Sequence, residues 1–385
     1  MKTAYKFRMY PNKQQEAQLE QTLDTCRRLY NIALADRKAA YEIDGISRSY
    51  EDQATMLTVE RKSGNFTRIY AHCLQDVLRR LDKSFKAFFR RVKAGEKPGY
   101  PRFKGEGWYK SFTYPDSETG YKLEDSKLTL SKIGSIRIFK HREIEGKIKT
   151  CTIKKDLLGH WYAVLVAEID DIPLQEPKVK VAIGVDVGLK SLITTSTGKS
   201  IQYPRYYIQL EEKLAAAQRS LSRKKKGSAN RLKAKAKVAK ISKRIQNLRD
   251  EFLNQVSRKL VDSADLIVFE NLNISVMLKN HHLAKHIQDH AWGKLIQLTR
   301  GKAAKAGKVV ELVEARYTSQ KCSDCGIMVP KTLADRVHVC HNCGLEMDRD
   351  LNASLNIRTL GLRGRAYRDS TPALNHSSRQ ARSMT

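Results

Sequence analysis

What the sequence lacks narrows its class first. No apolar run approaches the ~20 residues that a transmembrane helix needs, so a helical membrane span is not expected. The opening residues, MKTAYKFRMYP, do not read as a signal peptide. No basic amphipathic helix or lipidation signal stands out, which ranks an anionic membrane surface behind other partners. Internal repeats are absent, so a repeat architecture is not expected. Acidic residues are scarce: 41 Asp and Glu face 72 Lys and Arg, a formal charge of +31. Between Arg219 and Arg244 there are 12 cationic residues and no acidic one. Such an excess costs self-repulsion in the folded state and implies a polyanionic partner, nucleic acid first.

Cysteine is sparse as well, seven in 385 residues. Cys26, Cys73 and Cys151 are isolated and read as small buried hydrophobes. The other four come in pairs. Without an export signal, they point to metal in a reducing cytosol rather than to disulfides, and the chain is expected to be cytoplasmic.

What is present is a folded, multidomain α+β chain: 41% hydrophobic residues over 385 positions allow two or three cores. Tyr5, Phe7 and Met9 alternate with Lys6 and Arg8, a strand with one buried face. Asn12 and Gln15 make a capping box for a helix carrying Leu19, Leu23, Cys26, Tyr30 and Ala33. A segment over 66–94 repeats the helical period with Leu74, Leu78, Leu81, Phe85, Phe88 and Val92. Residues 12–94 are therefore expected to form a helical module. Short strands at 108–170 suggest a small β-barrel over 1–11 and 95–175, interrupted by that module. The second half opens on the strand VAIGVDV, followed by a strand hairpin and a helical region at 205–262 that Gly227-Ser228 breaks in two. DLIVFE is a buried strand, KNHHLAKHIQDH a His-rich loop, Trp292–Ala306 a helix and KVVELV another strand. A zinc ribbon is expected over 317–345, an α/β domain over 180–316 and 346–360, and a disordered tail over 361–385.

The cysteine pattern is C-x2-C-x14-C-x2-C: Cys322, Cys325, Cys340 and Cys343. Four thiolates at this spacing close a tetrahedron and leave no open position, so one structural Zn²⁺ is expected. His338 and His341 lie nearby and read as surface residues. Three carboxylates stand where carboxylates are costly: Asp186 and Glu270 end apolar strands, and Asp350 begins a helix beyond the ribbon. In a ribonuclease-H-like order of elements they would bind two Mg²⁺ ions, with Mn²⁺ as a substitute, about 3.5–4 Å apart for phosphodiester chemistry. Asp348 reads as a supporting acid off the metal face. Candidate nucleic-acid contacts are His72, Gln75 and Arg79 on one helix face, and Arg223, Lys224, Lys225, Lys226 and Arg231 in the basic run. For each of these the alternative is an ordinary solvated face.

GVDVGLK, VFENL, YTSQKCSDCG, CHNCG and DRDLNASLNI, with the N-terminal YKFRMYP and the GYPRFK turn, together resemble the TnpB (OrfB) family, which is encoded by insertion sequences and related to type V CRISPR effectors. The resemblance implies a RuvC nuclease domain interrupted by a zinc ribbon, and a wedge barrel interrupted by a helical recognition module. It implies an RNA-guided DNA endonuclease whose catalytic triad falls on Asp186, Glu270 and Asp350. Its partners would be a structured guide RNA from the element end and double-stranded target DNA beside a short motif, with the protein a monomer. A transposase-type strand-transfer enzyme and a noncatalytic regulator that binds element DNA are the alternatives.

Overall fold

A computed structural model describes residues 2–169, 179–314, 316–332 and 335–369, with 281–283 and 366–369 described by backbone alone. The chain divides into two units, Met1–Asp171 and Ile172–Thr385.

In the first unit, β1 (Lys2–Tyr10) buries Tyr5, Phe7 and Met9 as its alternation requires. Its other face carries Lys6 and Arg8 over the ring of Tyr162, at 4.1 and 5.3 Å from the ring centre. Asn12 caps α1 (Lys13–Asp44) through the reciprocal box with Gln15, at 2.8 and 3.1 Å. Then come α2 (Tyr50–Lys62) and α3 (Ala71–Lys93). α3 buries Cys73, Leu74, Val77, Leu78, Leu81 and Phe85, whereas Phe88 is half-buried and Val92 exposed, so the apolar stripe fades over the last two turns. The strands β2 (Ser111–Tyr114), β3 (Tyr121–Glu124), β4 (Lys127–Leu130), β5 (Gly134–Phe139), β6 (Lys147–Lys155) and β7 (Trp161–Glu168) complete the unit.

These strands form one seven-stranded antiparallel sheet in the order β2-β6-β7-β1-β5-β4-β3. β1 lies inside it, paired with β7 from Lys2↔Glu168 to Arg8↔Tyr162 and with β5 on the other side. β2 and β3 stand at the two ends, so the expected small β-barrel is a half-barrel. Cys26, Cys73 and Cys151 are all buried in this core, and burial pushes the Cys26 thiol up to about 12.

The second unit begins with β8 (Ala182–Val187), β9 (Ile193–Thr195) and β10 (Ser200–Ile201), then the helices α4 (Tyr206–Ser222) and α5 (Ala229–Ser263) on either side of Gly227. β11 (Leu266–Glu270) follows, then α6 (Ile274–Met277), α7 (His281–His290), α8 (Trp292–Lys305) and β12 (Val309–Val313). The His-rich stretch expected as a loop is thus largely the helix α7. The polar residues His281, His282 and Lys285 hid its period. Ribbon strands β13 (Val337–Val339) and β14 (Glu346–Asp348) lead into α9 (Arg349–Asp369). α9 continues past residue 361, where a tail was expected to begin, and the tail beyond Asp369 lies outside the described residues.

The sheet order is β10-β9-β8-β11-β12, with β8, β11 and β12 parallel and the first three strands an antiparallel meander. Ile183, Val185 and Val187 of β8, with Ile267 and Phe269 of β11, face a core built with α5 and α8. The alternate positions, Leu266 and Val268, meet Ile357 of α9 on the opposite face. Two glycines permit that close approach. A methyl group on Gly184 would stand 2.0 Å from the Ser354 carbonyl oxygen, and one on Gly361 would stand 2.4 Å from a Val268 methyl. Helices therefore cover both faces of this sheet, as its buried apolar strands require.

Candidate active site and nucleic-acid surfaces

The strand period decides where the acids point. Asp186 shares parity with Gly184, and Glu270 shares parity with Leu266 and Val268, so both side chains take the face that α9 covers. The parallel register Phe269↔Val185 sets Glu270 beside Asp186 at the carboxyl ends of neighbouring strands. Asp350 stands in the first turn of α9 against that same face.

Asp186 feels the other two acids. Burial first, then the charges of Glu270 and Asp350, push the Asp186 carboxyl well above the usual carboxylate range, opposed by the Arg349 guanidinium. Glu270 is 7% exposed, and burial raises its carboxyl, opposed by the hydroxyl of Thr318, which donates to Oε1. Arg349 donates through Nε and Nη2 to Asp350 Oδ1, both at 3.2 Å. Among the described residues, the charges of Glu270, Asp350 and Asp348 around Asp186 outweigh the Arg349 guanidinium, a concentration of hard oxygen donors that fits divalent cations such as Mg²⁺. Among the described residues, only the four cysteines bring all their ligand atoms within 4.8 Å of one another.

Asp348 has a different task. Its Oδ1 accepts from the amides of Asp350 and Leu351 at 2.8 and 3.1 Å, so it caps α9 and fixes the turn that presents Asp350.

The ribbon is built from two equivalent knuckles. Gly326 N donates to Cys322 O and Cys322 N to Ile327 O, and Gly344 and Cys340 repeat the pattern with Cys340 O and Leu345 O. Gly326 and Gly344 take φ of 79° and 73°, where glycine is unstrained. The Sγ pairs Cys322···Cys343 and Cys325···Cys340 lie 3.6 and 3.5 Å apart. That is far longer than a disulfide and close to the ~3.8 Å edge of a tetrahedron with Zn–S bonds of about 2.3 Å. The Ile327 amide holds the Cys325 thiol down, to about 6. His338, expected at the surface, is fully buried with Nδ1 against Lys331 Nζ.

Ribbon and site share supports that sequence reasoning missed. Asn352 Nδ2 donates to Lys321 O at 2.8 Å while its Oδ1 accepts from Ser323 N at 3.0 Å. Asn356, one turn on, donates to Thr318 O and Lys321 O at 2.8 and 2.7 Å. The spacing of two asparagines at i and i+4 on one helix face was the available signal.

The candidate nucleic-acid residues fare unevenly. His72 Nδ1 lies 2.7 Å from Asp116 Oδ2, which also accepts from Tyr70. Gln75 is half-buried on α3, and Arg79 bonds the Tyr50 hydroxyl at 3.2 Å. Arg231 donates to the carbonyls of Leu221 and Lys224 at 3.0 and 2.8 Å, which closes the end of α4 and is a structural task. Arg223, Lys224, Lys225 and Lys226 are exposed at the tip between α4 and α5.

With the geometry fixed, comparison with known proteins places the chain. A protein of Streptomyces pristinaespiralis, provisionally named RNA-guided DNA endonuclease, is 34% identical over 391 residues, covering 100% of this chain and 95% of its own. The chain belongs to the TnpB (OrfB) family. The provisionally named RNA-guided DNA endonuclease InsQ of Escherichia coli (strain K12) is 30% identical over 380 residues, 93% of this TnpB-family chain and 92% of InsQ. Family models described as "Probable transposase", "Cas12f1-like, TNB domain" and "Helix-turn-helix domain" match residues 163–281, 292–357 and 1–45. The last of these stretches forms β1 and the single helix α1 here. The fold is like that of a Cas12f1 protein solved with sgRNA and target DNA, at a TM-score of 0.56 and 15% identity, over 88% of this chain and 82% of the other. Among the described residues no helix is long and apolar enough to cross a membrane.

Proposed function

We propose that this chain is an RNA-guided DNA endonuclease of an insertion sequence, cutting DNA by metal-dependent RuvC-type chemistry. The observation that carries the reading is the meeting of Asp186, Glu270 and Asp350 on one face of the β8–β11 pair, beneath the start of α9. The sheet order, a meander followed by two parallel strands with helices on both faces, supports a ribonuclease-H-like domain. Relatives named for RNA-guided cleavage over nearly the whole chain support the guide RNA and target DNA as partners. Asp186, Glu270 and Asp350 would hold two Mg²⁺ ions, for which Mn²⁺ would substitute. When bound, such ions supply an activated water and stabilise the leaving oxygen of a phosphodiester. The four ribbon cysteines would hold one Zn²⁺ with no open position for catalysis.

In this reading base pairing with the guide selects the sequence, while the protein contacts backbone shape and a short duplex motif. The protein would work as a monomer in the cytoplasm, on the genome. The test is to purify the protein with its copurifying RNA, sequence that RNA, and supply Mg²⁺ with a library of motif-flanked targets. An RNA of one fixed scaffold and one variable end, with cuts abolished by Asp186→Ala, is expected. Cuts that Asp186→Ala leaves intact would overturn the reading. The family description "Probable transposase" favours strand transfer as a second reading. Strand-transfer products formed at element ends without RNA would decide for it.

A further inference from the structure

The GYPRFK turn is a motif that the nuclease chemistry does not use, and it is held in an unusual way. Asn31 of α1 clamps Lys104 from both sides: its Oδ1 accepts from Lys104 N at 2.8 Å and its Nδ2 donates to Lys104 O at 3.0 Å. Arg27 adds a third bond to the same carbonyl at 3.4 Å. A loop anchored this firmly nevertheless points large rings into water. Phe103, beside the clamp, is 55% exposed, and Trp108, at the end of the turn, is 78% exposed. The turn itself is fixed by Trp108 N donating to Gly105 O at 3.1 Å.

Two rings exposed within one braced loop form the kind of apolar surface that marks an interaction site. The surroundings say which partner. An open groove of about 360 Å³ runs beside the loop, with Tyr100, Arg91, Arg102 and Lys104 on its walls. Rings interleaved with cations match the two faces of an unpaired nucleotide, a flat base and a charged phosphate. A duplex hides its base faces and would use the cations alone.

We infer that the 100–108 loop is a stacking platform for unpaired nucleotides of a bound RNA, with Phe103 and Trp108 against bases and the exposed Arg102 toward the phosphates, while Lys104 Nζ lies over the Tyr30 ring. RNA is chosen over DNA because a structured RNA presents splayed loop bases, and that choice rests on the proposed RNA-guided function. The platform itself is testable without any cleavage.

Trp108 supplies its own reporter. The other two tryptophans, Trp161 and Trp292, are 2% and 3% exposed, so only Trp108 can meet a ligand. Full-length protein is titrated with a uridine 15-mer RNA, a thymidine 15-mer DNA and a blunt RNA duplex, following tryptophan fluorescence and anisotropy of the labelled strand. The RNA single strand is expected to quench Trp108, and Trp108→Ala and Phe103→Ala each to weaken its binding about 5- to 100-fold. Trp108→Phe is expected to retain affinity within about threefold, since a phenyl ring still stacks, and melting curves show that each variant is folded. Saturating RNA that leaves Trp108 fluorescence unchanged, or alanine variants that bind like the parent, would overturn the platform. Equal or tighter binding of the DNA strand would overturn the assignment to RNA. Cleavage failing while quenching persists would count against the nuclease reading alone.

Discussion

Thr318 donates its hydroxyl hydrogen to Glu270 Oε1, while its own carbonyl accepts from Asn356 at 2.8 Å. One residue just ahead of the first ribbon knuckle thus touches both a carboxylate of the site and the helix that carries another. The hydroxyl stabilises the ionised form of Glu270 against burial. Thr318→Val keeps the shape and removes the bond, so the Glu270 carboxyl should rise further. The acid limb of the pH–rate profile should then move to higher pH, with cleavage at neutral pH falling about 10- to 100-fold, the range typical of partners that orient metal ligands. An unchanged limb would mean that Thr318 serves packing only.

The repelling acids also predict a stability effect opposite in sign to the activity effect. Asp186 and Glu270 are both raised in the folded state. The unfolded chain therefore releases these protons first, and metal-free stability falls as pH rises above the ordinary carboxylate range. Asp186→Asn removes a charge that burial and its neighbours disfavour. The metal-free variant should melt a few °C higher than the parent at pH 7, a gain on the order of 1 kcal/mol, while cleavage drops at least about 100-fold. Mg²⁺ should raise the melting temperature of the parent more than that of the variant, which calorimetry with and without the ion would measure.

Zinc should matter to a site that it does not touch. Asn352 and Asn356 tie the first knuckle to α9, and Thr318 ties its approach to Glu270. Chelation, or Cys340→Ser, should cost cleavage in step with lost zinc while leaving the melting of the first unit in place. Asn356→Ala removes the buried bond to Thr318 O, at about 1–3 kcal/mol, and one of the two bonds to Lys321 O, which Asn352 still holds; it should copy the effect with zinc still bound. Metal content by mass spectrometry alongside cleavage rates separates the two cases.

The parts legible in sequence were those written in local spacing. The spacing of Cys322, Cys325, Cys340 and Cys343 implies the single cluster in which their thiols meet, and Asn12 with Gln15 marks the helix start seen at α1. Asp186 and Glu270 stood out because charge at the end of an apolar strand is costly. Their shared face needed the parallel register of β8 and β11, which no local pattern encodes. Arg231 looked like its cationic neighbours, yet carbonyls at the end of α4 claim it. His338 looked polar and lies buried, because only the folded hairpin encloses it. That the expected barrel is a half-barrel is not legible in sequence, because alternation reports a buried face and says nothing about whether the two edge strands meet.

Gly184 sets how closely α9 can lie on the sheet, and so where Asp350 sits. A methyl there would overlap the Ser354 carbonyl at 2.0 Å and the Arg358 amide at 2.5 Å, both backbone atoms of a helix that cannot yield locally. Gly184→Ala should cost about 3 kcal/mol or more, among the larger single-residue effects, and should lower cleavage in whatever fraction remains folded. Gly198→Ala, where nothing lies within 4 Å but φ is 80°, should cost only about 1 kcal/mol of backbone strain and spare activity. Denaturant melts paired with cleavage rates normalised to folded protein test the contrast.

The basic run becomes a directional surface once it is wound into a helix. Lys233, Lys237, Lys240 and Arg244 are all exposed on α5 and fall at i, i+4, i+7 and i+11, within about 60° of arc at ~100° per residue. Lys235 is exposed as well but lies about 140–180° away from that stripe. In this half of α5 the buried positions are Ala239 and Ile245, and neither joins the core cluster that Leu253, Val256 and Leu260 enter further along. Like charges at i and i+4 oppose the helix by about 0.2–0.5 kcal/mol per pair, a cost that phosphate contact would offset. Replacing the four stripe residues by glutamine should weaken binding to any nucleic-acid duplex and flatten its dependence on salt. If all four meet phosphates, the slope of log K against log salt should fall by about 3–4, whereas Lys235→Gln should change it by less than about 1. Titrations at several salt concentrations measure both slopes, and a fourfold variant with the parent slope would make the stripe an ordinary solvated face.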